Sequence, residues 1–178
     1  MLKKYHYLLL FVLLFSCTKD RDKIFELTYL NLEFEIPAGF AGIGGEVMLF
    51  EFTEIPTLFE EQLLSHNVNI EDIGGIFPYR AQIRSLDGSD YYFIRNVYIR
   101  LCSTDNTDCL IESDDLFYVQ GLNGGADDKI NLLSGLQNRE ELLSSESFRL
   151  EIVMSLNPGQ ITPSNITSFL DMTFEVVR

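Results

Sequence analysis

Tryptophan is absent from this chain, and histidine, cysteine and positive charge are scarce. Its 178 residues hold two His, three Cys and 13 Lys plus Arg against 27 Asp plus Glu. The formal net charge of −14 repels phosphate backbones and anionic lipid surfaces, which argues against a nucleic-acid partner. One of the two imidazoles, His6, lies in the N-terminal segment, so the rest of the chain has His66 alone. Acid–base and nucleophilic schemes that recruit histidine therefore lack their usual base, and a histidine-rich metal centre is excluded by count. There is no Gly-x-Ser-x-Gly elbow and no spare thiol, so serine and cysteine hydrolase schemes lack parts. After Phe15 no long apolar run occurs without a charge, and no repeat, heptad or Pro/Gly/Ser-rich linker divides the chain. The composition, 46% hydrophobic and 22% charged, is that of a globular protein.

What is present begins at the N-terminus. Lys3 and Lys4 precede an unbroken apolar stretch at residues 7–15, the positive and hydrophobic regions of a secretory signal peptide. Nine residues of helix rise about 13 Å, too short for a hydrocarbon core of roughly 30 Å. Leu14, Phe15, Ser16 and Cys17 follow, and this run resembles the lipobox of bacterial lipoproteins, in which a small residue precedes a lipidated cysteine. The resemblance implies a thioether-linked diacylglycerol on Cys17 and a further acyl chain on its freed amine, and more than one chain anchors stably where a single chain would not. Thr18, Lys19, Asp20, Arg21 and Asp22 resemble the short acidic export tract of Bacteroidota outer-membrane lipoproteins, and read equally well as a solvated tether. The implied organisation is a signal peptide at 1–16, a lipidated cysteine and tether at 17–23, and one domain at 24–178. The implied location is the outer membrane, lipid-anchored, on its periplasmic or cell-surface face.

With Cys17 occupied by lipid, Cys102 and Cys109 remain as an even pair flanking a polar, turn-forming stretch at the end of a strand-like run. In an oxidising compartment they are expected to form a disulfide. Their spacing, without a partner His or a third Cys, fits neither a zinc knuckle nor a Cys-x-x-Cys redox motif.

Period-two alternation dominates the body. Leu30, Leu32, Phe34 and Ile36 interleave with Asn31, Glu33 and Glu35, and Pro37 ends the run. Residues 47–55 place Met48, Phe50 and Phe52 on one face. Further strands are predicted at 81–86, 93–102, 116–120, 148–156 and 169–177. Thr57 and Glu60 have capping-box spacing after Pro56, which predicts a short helix, and 137–143 predicts another turn or two. About seven strands and one or two short helices make an all-β domain, an antiparallel β-sandwich of immunoglobulin-like or related type.

Candidate chemistry is sparse. Calcium is the most credible ligand, because hard cations want clustered carboxylate oxygens, and the weak candidates are Asp87, Asp90, Asp105, Asp108, Asp127 and Asp128, with Asp114 and Asp115 beside them. None has EF-hand spacing, and acidic turns on an acidic surface are ordinarily solvated. Tyr79, Tyr91 and Tyr92 are candidate glycan platforms, against the alternative of half-buried sheet residues. His66, at the expected end of the short helix, is read as capping carbonyls or facing solvent. Gly39, Gly42, Gly44 and Gly45 lack a Gly-Lys-Ser/Thr ending and are read as a flexible hairpin connection rather than a phosphate loop. Asn165, Ile166 and Thr167 form a sequon that carries little weight in a bacterial lipoprotein. Catalytic residues are therefore assigned to none.

The resulting expectation is an exported, membrane-anchored lipoprotein that acts as a non-enzymatic binding or accessory module at the cell envelope. It would recognise a protein or glycan through loops 39–45, 102–109 and 122–128. The alternatives are a structural lipoprotein packed against an outer-membrane partner and, further off, a glycoside hydrolase using two carboxylates.

Overall fold

The computed structural model describes residues 22–42, 46–105, 109, 115–122 and 124–178. The leader, Cys17, Asp108, Asp114 and Gly44 and Gly45 lie outside the described residues. The strands are β1 (Lys23–Ile36), β2 (Val47–Pro56), β3 (Gly75–Ser85), β4 (Ile94–Cys102), β5 (Asp115–Val119), β6 (Lys129–Ser134), β7 (Ser147–Leu156) and β8 (Ile166–Val177). Among the described residues two helices, α1 (Phe59–His66) and α2 (Glu140–Leu143), and a 3₁₀ turn at Ile70–Asp72 complete the all-β domain. All pairings are antiparallel, in the order β1-β8-β3-β6-β5-β4-β7-β2.

The sheet curls until it is nearly closed. Among the described residues its two halves, β1-β8-β3-β6 and β5-β4-β7-β2, are joined by the pairs Phe117 with Ser134 and Tyr118 with Leu133 and by Gly135 N–H donating to Leu116 O at 2.7 Å. They face each other as layers: Phe117 of β5 meets Phe174 of β8 at 5.5 Å between ring centroids, and Tyr29 of β1 meets Phe148 of β7 edge-on at 5.1 Å. Ile83, Phe93, Ile99, Leu150, Ile152 and Leu170 fill the space between them with no exposed surface, as alternating strands with one apolar face require.

Several sequence expectations change in detail. Leu30 does not share the core face with Phe34 and Ile36; it is 60% exposed, while Phe25, Leu27 and Tyr29 point inward. The phase flips at Asn31, whose φ of 58° makes a bulge in the pairing with β8 between Tyr29 and Leu32. An eighth strand, β6, is added; the adjacent Leu132 and Leu133 blur its alternation, one buried and one exposed. β3 begins earlier than expected because Pro78 sits at a bulge, where its missing N–H is tolerated.

β1 and β2 are not a hairpin. They are the two outer edges of the sheet, and the connection between them docks instead on the β7–β8 connection through Gly39 N–H to Thr162 O, Gly42 N–H to Gln160 O and a bridge between Ala41 and Ile161. Side chains close the seam between these edges. Phe34 and Phe50 lie 4.8 Å apart, and the Tyr29 hydroxyl donates to Thr57 O at 2.8 Å.

The expected helix forms at α1 without its capping box. Thr57 Oγ1 donates to Ser145 O at 2.5 Å instead of accepting from the helix, and Leu58 occupies the N-cap in left-handed backbone. At the other end, the backbone N–H of Asn67 covers the last carbonyls, so His66 caps nothing; its exposed ring stacks on Phe25 at 4.9 Å.

Candidate functional site

Antiparallel pairing sorts the connections between two ends of the domain. The first described residue, Asp22, bonds the chain terminus through its carbonyl and the Arg178 N–H, and α1, α2 and the Cys102–Cys109 loop share that end. The described parts of connections 37–46, 86–93, 120–128 and 157–165 gather at the opposite, distal end. Two of the three loops expected to carry recognition, 39–45 and 122–128, are therefore together, and 102–109 is not with them.

Two side chains tie the distal connections. Asn157 Nδ2 lies 3.2 Å from each of three carbonyls, those of Tyr92, Ile94 and Leu122, and so joins three connections. Buried Thr162 donates through Oγ1 to Pro37 O at 2.6 Å and accepts from Phe40 N–H at 2.8 Å, holding the β1–β2 connection against β7–β8.

Beside this end lies a surface trough of about 450 Å³. Its walls come from β2, β4 and β7 and the neighbouring connections, notably Gly42, Glu46, Arg95, Asn96, Tyr98 and Ser155. Gly42 has to be glycine here, since a Cβ would meet Leu156 Cβ at 2.8 Å. Asn96 Nδ2 donates to Ser155 Oγ at 2.9 Å, Gly121 N–H donates to Asn96 Oδ1 at 3.0 Å, and Gln120 Nε2 donates to the Tyr98 hydroxyl at 3.0 Å. A half-buried tyrosine ring edged by amides and hydroxyls, with Glu46 and Arg95 also in the lining, can bind a ligand that combines apolar faces with hydroxyl groups.

The tyrosines singled out from sequence do not form a platform. Tyr91 is fully buried, its hydroxyl donating to Ser168 Oγ at 2.8 Å, and burial pushes its phenol up to about 12. Tyr92 stands edge-on to Phe93, while Tyr79 lies at the other end of the domain beneath Lys23 and Arg80. Tyr98, Tyr118 and Asn157 were missed. Their signal was faint: Tyr98 is merely the polar-phase residue between Val97 and Ile99, and its significance depends on strand pairing.

Two of the acidic candidates, Asp87 and Asp115, have their carboxylates engaged locally. The hydroxyl of Ser85 and the hydroxyl and N–H of Ser89 hold Asp87 at about 2, below the ordinary carboxylate range. Asp115 pairs with Arg100 at 2.6 Å. The carbonyls of Asp127 and Asp128 accept N–H groups of Tyr91 and Ser85, and Asp90 and Asp105 are exposed. Among the described residues no three His, Cys, Asp or Glu side chains are grouped to hold a metal. Asn165 accepts from Ala38 N–H at 2.7 Å and donates to Glu35 at 3.0 Å.

Cys102 and Cys109 form a disulfide, and both are buried. Among the described residues no helix is long and apolar enough to cross a membrane. Comparison of the chain with protein-family models, with curated proteins and with solved structures gives no match.

Proposed function

We propose that this chain is an exported lipoprotein, anchored through acylated Cys17 at the outer membrane, and that its domain is a non-enzymatic binding module for an envelope protein or glycan. One observation carries the reading: the chain enters the domain at one end, and the trough and four connections lie toward the other. Asp22 and Lys23 already belong to the domain, so a tether at 18–21 would extend at most about 14 Å and the entering end would stay near the lipid surface. β1 runs toward the distal end for 14 residues, or roughly 40 Å allowing for its bulge, so the connections there stand clear of headgroups. Recognition loops presented on a rigid sheet are the usual arrangement for binding modules.

Packing as a structural lipoprotein through a sheet edge is the weaker reading. The free edges carry Glu33 and Glu35 on β1 and Glu51 and Glu54 on β2, charges of the kind that discourage strand addition. No observation favours a two-carboxylate hydrolase: Glu51 and Glu151, opposed across β2 and β7, share the Arg149 guanidinium at 2.9 and 3.3 Å.

The test is capture from native membranes using the full-length lipoprotein. The wild type should retain an envelope component that a variant with Arg95→Glu and Asn96→Ala releases. Equal capture by both proteins, or none by the wild type, would count against recognition at the distal end.

A further inference from the structure

Strand register assembles a feature that no single strand contains. Leu49 of β2 pairs with Val153 of β7, Val153 with Tyr98 of β4, Tyr98 with Tyr118 of β5, and Tyr118 with Leu133 of β6. These five residues form one row crossing five strands. All of them face outward, because the core-facing positions beside them, Met48, Ile152, Val97, Phe117 and Leu132, are buried. The row's ends are open, with Leu49 49% and Leu133 61% exposed. Four inter-strand steps give it a length of about 19 Å.

Its borders are chemically distinct. Toward the distal end the next level is Val47, Ser155 and Asn96, which opens into the trough. Toward the anchored end the next level is Glu51, Glu151, Arg100 and Asp115, and these charges are spent on each other through the Arg100–Asp115 and Arg149–Glu pairs. The row itself carries no charge, on a chain whose net charge is −14.

We infer that this row, continuous with the trough, is a binding surface for an extended neutral polysaccharide, an inference that rests on the binding-module reading and names its ligand class. Two adjacent tyrosines offer surfaces for the C–H faces of pyranose rings. Asn96, Ser155, Gln120 and the Tyr98 hydroxyl supply neutral donors and acceptors along the same strip for the sugar hydroxyls. The inter-strand spacing is close to the advance per sugar of an extended glycan, so successive rings would meet successive strands. An acidic glycan would be repelled by the overall charge.

The test is affinity gel electrophoresis of the detergent-extracted full-length protein in hydroxyethylcellulose, galactomannan, mannan and dextran, with polygalacturonate as the acidic comparison. Retardation by at least one neutral polymer is expected. Tyr98→Ala and Tyr118→Ala should each weaken it about tenfold or more, Tyr98→Phe, which keeps the ring, should stay within about threefold, and Tyr79→Ala should change nothing. Thermal midpoints of the variants identify any that fail to fold, and Leu133→Asp, which puts a charge on an exposed member of the row, then carries the comparison: it should weaken retardation where Tyr79→Ala does not. No retardation by any neutral polymer, retardation by polygalacturonate alone, or retardation that survives both alanine substitutions would overturn the inference. A protein captured from native membranes while every polysaccharide fails to bind overturns the glycan assignment and leaves the binding module standing. Absence of lipid on Cys17 removes the anchored reading without touching the gel result.

Discussion

The carboxylate of Glu151 accepts the backbone N–H of Cys109 at 3.1 Å, fastening the disulfide loop to the outer face of the sheet through an acid only 3% exposed. Arg149, on the same strand, reaches that acid at 3.3 Å and Glu51 across the ladder at 2.9 Å. Two carboxylates directly opposite on neighbouring strands would repel; one guanidinium between them reverses the sign. Removing the acid strands the Cys109 N–H and takes from a mostly buried cation one of its two carboxylate partners. Glu151→Ala should therefore destabilise the domain by about 2 to 4 kcal/mol in urea unfolding, and Glu151→Gln, which keeps an acceptor, by less. Equal effects would mean that the lost charge alone decides there, and neither the retained acceptor nor side-chain volume.

The disulfide closes a short loop, with a sequence separation of 7 residues. Chain entropy assigns it about 2.5 kcal/mol. Replacing both cysteines by serine, or adding reductant under unfolding conditions, should lower the unfolding free energy by that order while leaving far-ultraviolet circular dichroism unchanged.

Asn31 holds the bulge that flips β1. Its N–H donates to Asp171 at 2.7 Å, its side-chain oxygen accepts from Arg84, and its φ is 58°. Asn31→Gly keeps the backbone and loses one acceptor, so it should change stability by no more than about 1 kcal/mol, whereas β-branched Asn31→Val should cost about 2 kcal/mol or more. The measurement is the difference in denaturant midpoint between the two variants, with equal midpoints contradicting the assignment.

Asn157 joins the distal connections through three carbonyls. Asn157→Ala should cost about 1 to 3 kcal/mol, and its signature should be local: amide exchange should accelerate in 86–93 and 120–122 and not in the strands of the core. Uniform acceleration would place its effect in global stability instead.

Tyr91 carries a pH prediction with a definite sign. Burial raises its phenol from 10.0 to about 12 in the folded protein, so the neutral form is favoured by folding. Its contribution is fully present below pH 10 and is lost as pH rises toward 12. Thermal midpoints should fall across that window, and Tyr91→Phe, which cannot ionise, should fall less steeply. Parallel slopes would show that another group governs the alkaline limb.

Much of the β class was legible because alternation is a local property. Leu150, Ile152 and Met154 face the core as their period requires, and so do Leu170, Met172, Phe174 and Val176. Pairing is not local, and that is where the reading failed. The glycines after Pro37 have hairpin chemistry, yet β1 and β2 end up as opposite edges because each finds a longer antiparallel partner elsewhere, β8 and β7. Leu30 was misplaced because a single left-handed residue shifts the phase of everything before it. The Leu49-to-Leu133 row was invisible for the same reason: each member is an ordinary outward residue until register aligns the five. Thr57 shows the limit of short motifs, since a better acceptor at Ser145 outcompeted its cap.

The proposed function depends most heavily on the anchor at residue 17, and mass spectrometry of the N-terminal peptide from the native host tests it directly. A peptide that begins at Cys17 and carries a diacylglyceryl thioether with an acylated amine is expected. A peptide still bearing residues 1–16, or a Cys17 with an unmodified thiol, would contradict it.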